Sequence, residues 1–230
     1  VDLVRDLKAG AREGMGRRSR ARTTLLIVQA ALSVVLLVGA GLFVRSLYRA
    51  EAVRLGYDVD PVLVVALNMR GAPPDSARDA MLRERLREAA AAIPGVVGAA
   101  RQTAVPLWSN SSTDLFVQGI DSVSRLGNFN YNAVSPEFFR TLGTRVLRGR
   151  PITEQDRAES PRVAVVSENM ARVLWPGRDA IGQCMRVGEE TDPCTTVIGI
   201  AENIKDESFT GAGDSGLYYY MPIAQFRPRG

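Results

Sequence analysis

Few side chains in this chain are placed to do chemistry. Cys184 and Cys194 are the only cysteines, and they flank the turn-like stretch MRVGEETDP between two strand candidates. Two readings are open: a disulfide clamping a hairpin in an oxidising compartment, or two free buried thiols. As a disulfide, a closed loop of about ten residues contributes on the order of 2–3 kcal/mol. The carboxylates Glu154, Asp156 and Glu159 gather in TEQDRAES, near Arg157 and Arg162. They read as an acid/base pair or, more plainly, as a solvated turn. Asn110 opens NSS, a formal glycosylation sequon.

The absences exclude more than these residues suggest. There are 0 histidines, which removes the commonest general base and the commonest zinc ligand. Ser-His-Asp and Cys-His chemistry are therefore excluded. Two thiols are too few for a structural zinc site. No GxxxxGK[ST] phosphate loop is present, and GAGLF, half of a dinucleotide fingerprint, lies inside an apolar run. The expectation is a non-enzyme with no catalytic residue, no metal site and no cofactor.

That apolar run is the dominant element of the sequence. TTLLIVQAALSVVLLVGAGLFV, Thr23 to Val44, is uncharged and bounded by Arg22 and Arg45. At 1.5 Å per residue it reaches about 33 Å, against a hydrocarbon core of about 30 Å. It is too long for a signal-peptide core and lacks the polar face of a soluble helix, so it reads as a membrane span. Lys8, Arg12, Arg17, Arg18, Arg20 and Arg22 precede it; Arg45, Arg49 and Arg54 follow. The heavier N-terminal side is expected in the cytoplasm and the bulk of the chain outside it. Gln29, Ala30, Ser33, Ala40 and Gly41 fall near helical spacing and read as a face that packs on other spans, or more plainly as the small residues common in spans with Gln29 near the headgroups. Residues 1–22 read either as a short leader helix with Leu3, Val4 and Leu7 on one side and Gly14 and Gly16 loosening the chain before the span, or as a solvated positive-inside leader.

Charge follows the same division. Residues 1–45 carry eight Arg or Lys against three Asp or Glu, leaving 21 against 22 in residues 46–230. The basic excess, and the sequence pI of about 9.4, therefore belong to the span's flanks. Nucleic-acid binding is not expected, because the folded part has no basic excess. The expected organisation is a leader (1–22), a transmembrane helix (23–44) and an external domain (45–230). The chain opens on Val1, which fits a piece of a longer polypeptide.

Residues 45–230 alternate strand and helix signals. PVLVVALNM (61–69) and VVGAARQTAVPL (96–107) read as strands on either side of a helix in DSARDAMLRERLREAAAAI. Ser76 and Asp79 offer that helix a capping box, and Leu82, Leu86, Ala89 and Ile93 an apolar face. The three pieces suggest a βαβ unit in an α+β domain. Strands are expected at 111–120, 127–135 and 162–166. A helix is expected at 136–143 with Pro136 at its first position, and another at 167–175 capped by Ser167. A hairpin across the two cysteines and a last strand at 216–223 complete the pattern, with 145–152 as a turn-rich extended piece.

Four motifs in this region carry a resemblance. Val134, Ser135, Pro136, Phe138, Phe139, Thr141, Leu142 and Gly143 make the first. Leu147, Gly149, Arg150, Ile152 and Thr153 make the second. Val163–Val166 with Ser167, Glu168, Met170, Ala171 and Arg172 make the third. Trp175, Pro176, Gly177, Asp179, Ile181 and Gly182 make the fourth. In this order, after such a span, they resemble the MacB-like periplasmic core domain of bacterial ABC transporter permeases, and among these the large permeases with duplicated FtsX-type halves. The motif residues themselves read as turns, helix starts and core.

The resemblance implies a mixed α/β periplasmic domain of two subdomains behind one span. It implies a permease subunit of an export or mechanotransmission transporter in the bacterial inner membrane. Its partners would be membrane lipid, other spans of the same permease, a separate cytoplasmic ATPase subunit and a periplasmic adaptor. The other architecture the sequence allows is a single-span sensor or adaptor whose external domain binds a ligand or peptide.

Overall fold

No proline stands between Leu3 and Glu51, so nothing there removes an amide donor or clashes with the preceding helical turn. That stretch is one helix, α1 (Leu3–Glu51, 49 residues). Gly14 and Gly16 do not loosen it: the backbone is helical through both. A computed structural model describes residues 3–51, 54–58, 60–67, 76–105, 109–205 and 216–226. Side chains of α1 are described from Arg22 to Arg49, so the leader face of Leu3, Val4 and Leu7 lies outside them. Within Arg22–Arg49 an 18-residue window reaches a mean hydropathy of 2.5, and the segment is long and apolar enough to cross a membrane. The chain divides into two compact units, Val1–Arg54 and Leu55–Gly230.

The second unit is α+β. Its elements are α2 (Ser76–Ala91), β1 (Ser111–Ser112), β2 (Leu115–Val117), β3 (Asn130–Val134), α3 (Phe138–Leu142) and β4 (Val146–Gly149), then β5 (Val163–Ser167), α4 (Glu168–Leu174), β6 (Cys184–Val187), β7 (Thr195–Ala201) and β8 (Tyr218–Pro222). They build a mixed eight-stranded sheet in the order β1-β3-β8-β5-β7-β6-β2, with β4 paired to β7 off that path. β5 runs parallel to β7 and antiparallel to β8.

An unbroken apolar strand fits a sheet covered on both faces. Along β5, Ala164 and Val166 enter one apolar cluster with Met170, Trp175 and Tyr219. Val165 enters the other, with Phe138, Phe139, Ile152 and Tyr220. The tyrosine run of β8 alternates in the same way, so its three rings serve both clusters. Phe138 and Phe139 sit 5.5 and 5.2 Å from the Tyr220 ring.

The expected βαβ unit does not form. Residues 62–67 join no strand, and Leu63 is 87% exposed. In 96–105 the only pairing described is an isolated bridge from Gln102 to Val134. Residues 68–69 and 106–107 lie outside the described residues. A strand is defined by its partner's amides, and apolar β-branched composition supplies none. α2 is present, but Leu82, Leu86, Ala89 and Ile93 are exposed instead of facing a core. The Ser76 side chain of the expected capping box lies outside the described ones; Asp79 pairs with Arg83 at 2.7 Å.

Smaller differences have local causes. Residues 111–120 hold two short strands with a break between them. The 136–143 helix begins at Phe138, after Pro136 and Glu137 form a turn. Residues 146–149 are a true strand, because β7 offers them a free edge. The hairpin is as expected: Cys184 lies opposite Thr196 and Met185 opposite Thr195. Cys184 and Cys194 are joined as a disulfide, with Cα atoms 5.6 Å apart.

Two glycines show why their positions exclude a side chain. Gly143 ends α3 at φ 70°, where an added Cβ would meet the Asp58 carboxylate. Gly149, at φ 75°, would drive a Cβ against the backbone of Ile198 and Gly199. Asp58 can swing aside; backbone in a sheet cannot. Gly143→Ala should destabilise the second unit by about 1–2 kcal/mol, the cost of the left-handed conformation, and Gly149→Ala by clearly more. Urea unfolding of the chain in nanodiscs, followed by tryptophan fluorescence, measures both. In the same assay Cys184→Ser should cost about 2–3 kcal/mol without reductant and nothing with it.

Candidate functional site

On α1, the expected packing face is geometrically coherent. Gln29, Ala30, Ser33, Ala40 and Gly41 fall within an arc of roughly 120° at about 100° per residue. All five are exposed along the helix. Ser33 Oγ donates to the Gln29 carbonyl oxygen at 2.9 Å. Its proton is thus used within the helix, leaving its lone pairs and the Gln29 amide to face outward.

In the second unit, charged side chains collect around a cleft of about 440 Å³. α2 supplies Glu84 and Arg87, the segment after it Arg101, the turn before α3 Glu137, and the loop after β4 Asp156. Arg87 Nε donates to Glu84 at 2.5 Å, and its NH1 lies 3.4 Å from Glu137. Arg101 NH1 reaches Glu84 at 3.1 Å. Burial alone would raise the Glu84 carboxyl; hydrogen bonds from Arg87 and Arg101 outweigh it and hold the group below the usual carboxylate range. The ladder ties α2 to the sheet body by charge, since its apolar side chains point to solvent.

The carboxylate cluster in TEQDRAES resolves into a single structural group. Asp156 is buried, and Arg150 NH1 and NH2 grip its two oxygens at 2.8 Å each. Thr153 adds its backbone N–H at 2.8 Å and its hydroxyl at 3.1 Å. The Arg150 hydrogen bonds hold the Asp156 carboxyl below its ordinary range, against the opposing pull of burial. A carboxylate kept ionised in this way cannot shuttle protons near neutral pH. Glu154 and Glu159 are exposed. Neither joins Asp156 as a second acid.

The sequence did not single out Arg150 as the partner, because Arg157 stands next to Asp156 in the chain. Its signal was the motif itself. Gly149 permits the close approach to β7, Arg150 and Thr153 hold Asp156, and Ile152 fills the second cluster. Other motif residues are equally structural. Ser167 Oγ accepts from Met170 N at 3.3 Å, as the expected N-cap of α4. It also accepts from Tyr218 N and donates to the Gly216 carbonyl. Asp179 pairs with Arg148 at 2.6 Å. Asn110 is held by Tyr218, whose hydroxyl donates to Asn110 Oδ1 at 2.5 Å. Among the described residues, no three His, Cys, Asp or Glu side chains are grouped to hold a metal ion.

A helix of membrane-crossing length and composition is joined in one chain to a disulfide-clamped α+β domain. The chain belongs to the family of the MacB-like periplasmic core domain, whose model matches residues 21–230. It is 35% identical over 103 residues to the Macrolide export ATP-binding/permease protein MacB of Hahella chejuensis, covering 44% of this chain and 15% of that one. It is 36% identical over 76 residues to the Probable syringafactin export ATP-binding/permease protein SyfD of Pseudomonas syringae, covering 33% of this chain and 11% of that one. These alignments span a small part of either relative. Among solved structures, the periplasmic region of MacB from Actinobacillus actinomycetemcomitans superposes with a TM-score of 0.44 at 18% identity, over 60% of this chain and 54% of that one. The extracellular domain of the noncanonic ABC-type transporter YknZ from Gram-positive bacteria gives 0.42 at 18%, over 61% and 62%.

Asp156→Asn should cost about 2 kcal/mol at pH 7, the worth of charge-assisted bonds to a buried group. Because the folded-state pKa is lowered, this contribution is complete above about pH 4 and disappears as pH falls through the folded value. Wild type and variant should therefore converge in stability only once the pH has fallen well below the ordinary carboxylate range, as read by urea unfolding from neutral to strongly acid pH.

Proposed function

We propose that these residues are the span and periplasmic domain of an ABC-type export permease. The observation that carries the reading is the match of the periplasmic core domain family across 21–230, which includes the apolar helix as well as the folded unit. In this reading residues 1–22 are a cytoplasmic leader, 23–44 the transmembrane helix and 45–230 the periplasmic domain, in the bacterial inner membrane. Gln29, Ala30, Ser33, Ala40 and Gly41 face other spans of the same permease, where small side chains let backbones approach closely.

The part played by this piece is mechanical. ATP is hydrolysed on a separate cytoplasmic ATPase subunit, the spans carry the resulting movement, and the external domain delivers it to cargo or to a periplasmic adaptor. The two named relatives, an exporter of macrolides and a probable exporter of syringafactin, support the outward direction. The sheet described above suits such work. Its centre is buried on both faces, and its outer hairpin is covalently closed.

The test is topological. Ser124→Cys, in an exposed turn of the external domain, should react with a membrane-impermeant maleimide in intact spheroplasts. A cysteine in place of Arg12 should react only after lysis. Gln29→Cys should cross-link to another span of the same permease and Val35→Cys, on the opposite side of the helix, should not. Labelling of Ser124→Cys only after lysis would sink the orientation. A reading frame that ends shortly past Gly230 would sink the permease itself.

A further inference from the structure

The outer end of the apolar helix carries a feature that span packing does not use. Leu42, Arg45, Ser46 and Arg49 line a groove of about 340 Å³ along α1. Their spacing of three, one and three residues places all four on a single stripe. Both guanidiniums are exposed, and neither has an ion-pair or hydrogen-bond partner among the described residues. No Asp or Glu occurs from Arg22 to Arg49. Two cations one turn apart thus face outward with ten N–H donors and a hydroxyl between them.

Position along the helix says what meets them. The uncharged run reaches the full depth of a hydrocarbon core by Val44. Arg45 and Arg49 lie about 1.5 and 7.5 Å beyond it, at the level of lipid headgroups. Leu42 lies below them, at the level of acyl chains. Position around the helix agrees. At about 100° per residue, this stripe is centred roughly 150° from the face of Gln29, Ala30, Ser33, Ala40 and Gly41. If that face meets protein, the arginine stripe meets lipid.

We propose that Leu42, Arg45, Ser46 and Arg49 form a binding site for the phosphate of an anionic phospholipid. The planar guanidinium forks match phosphate oxygens in pairs, and two forks one turn apart can grip one phosphate from two sides. Ser46 Oγ adds a third donor, and an acyl chain lies along Leu42. The site holds one lipid at the rim of the bundle and pins the depth of the helix. The proposal rests on the reading of this helix as a span.

The chain is reconstituted in nanodiscs of phosphatidylcholine with one tenth phosphatidylglycerol, and the lipid retained on mild detergent extraction is counted by native mass spectrometry. Wild type should retain about one phosphatidylglycerol per chain. Arg45→Gln with Arg49→Gln should lower retention about tenfold to thirtyfold. Leu47→Arg with Arg49→Gln keeps two arginines but sets them on opposite sides; it should lose retention almost as fully. Arg45→Lys with Arg49→Lys should recover only part, since ammonium groups lack the fork. Wild-type retention by either Gln-containing double variant would overturn the site and leave only general surface charge. Displacement of the lipid by 10 mM inorganic phosphate would overturn the lipid assignment. Failure of the chain to enter the nanodisc at all would instead overturn the span.

Discussion

Val163 to Ser167 are all buried, and Ala164, Val165 and Val166 send their side chains alternately into two apolar clusters. Burying each valine contributes about 1.5 kcal/mol or more, and the strand can be flanked only by other strands. β7 and β8 take those flanks. Everything else in the second unit is registered against this arrangement: β4 and β6 on β7, β3 on β8, and α4 packed back over one face. Ser167 is the hinge pin of that order. Its one hydroxyl caps α4 and ties β5 to the entry of β8.

Charge does a different job at the margin of the fold. α2 keeps Leu82 and Leu86 in solvent, so apolar burial does not hold it in place. Glu84, Arg87, Arg101 and Glu137 do. Pairs of this kind, partly exposed, are weaker than core contacts and respond to ionic strength. The Arg150–Asp156 pair is the opposite case. Its carboxylate is buried and saturated with donors, and it fixes the loop that delivers Ile152 to the core. Within one domain, ion pairs therefore serve both as a weak tether and as a rigid corner.

How legible this was in the sequence depended on where each signal's partner lay. α4 was readable from Ser167 and the apolar spacing after it, because a helix closes its own hydrogen bonds. The hairpin between the cysteines was readable because its two strands are neighbours in the chain. Residues 61–69 and 96–107 had equally good strand composition, yet among their described residues only the Gln102–Val134 bridge is paired. Composition reports that a strand is willing, and pairing needs a second edge that the local sequence does not encode. Asp156 was visible as a carboxylate in a cluster, but its partner Arg150 stands beyond Pro151 and Thr153. Four motifs pointed to a known domain long before any single side chain explained itself. In the structure those motif residues are corners, caps and core.

The uninterrupted course of α1 couples length to direction. Each residue added or removed within the apolar run would advance everything beyond it by 1.5 Å and turn it by about 100°. The Gln29 face and the Arg45 stripe thus stand in a definite phase. A single-residue deletion between Gly41 and Arg45, of Val44 for example, would leave hydrophobicity and length nearly unchanged. Yet it would rotate the arginines a quarter-turn or more toward the side now occupied by small residues. Insertions and deletions in this run should be far less tolerated than substitutions, because they alter an angle that no side chain can restore.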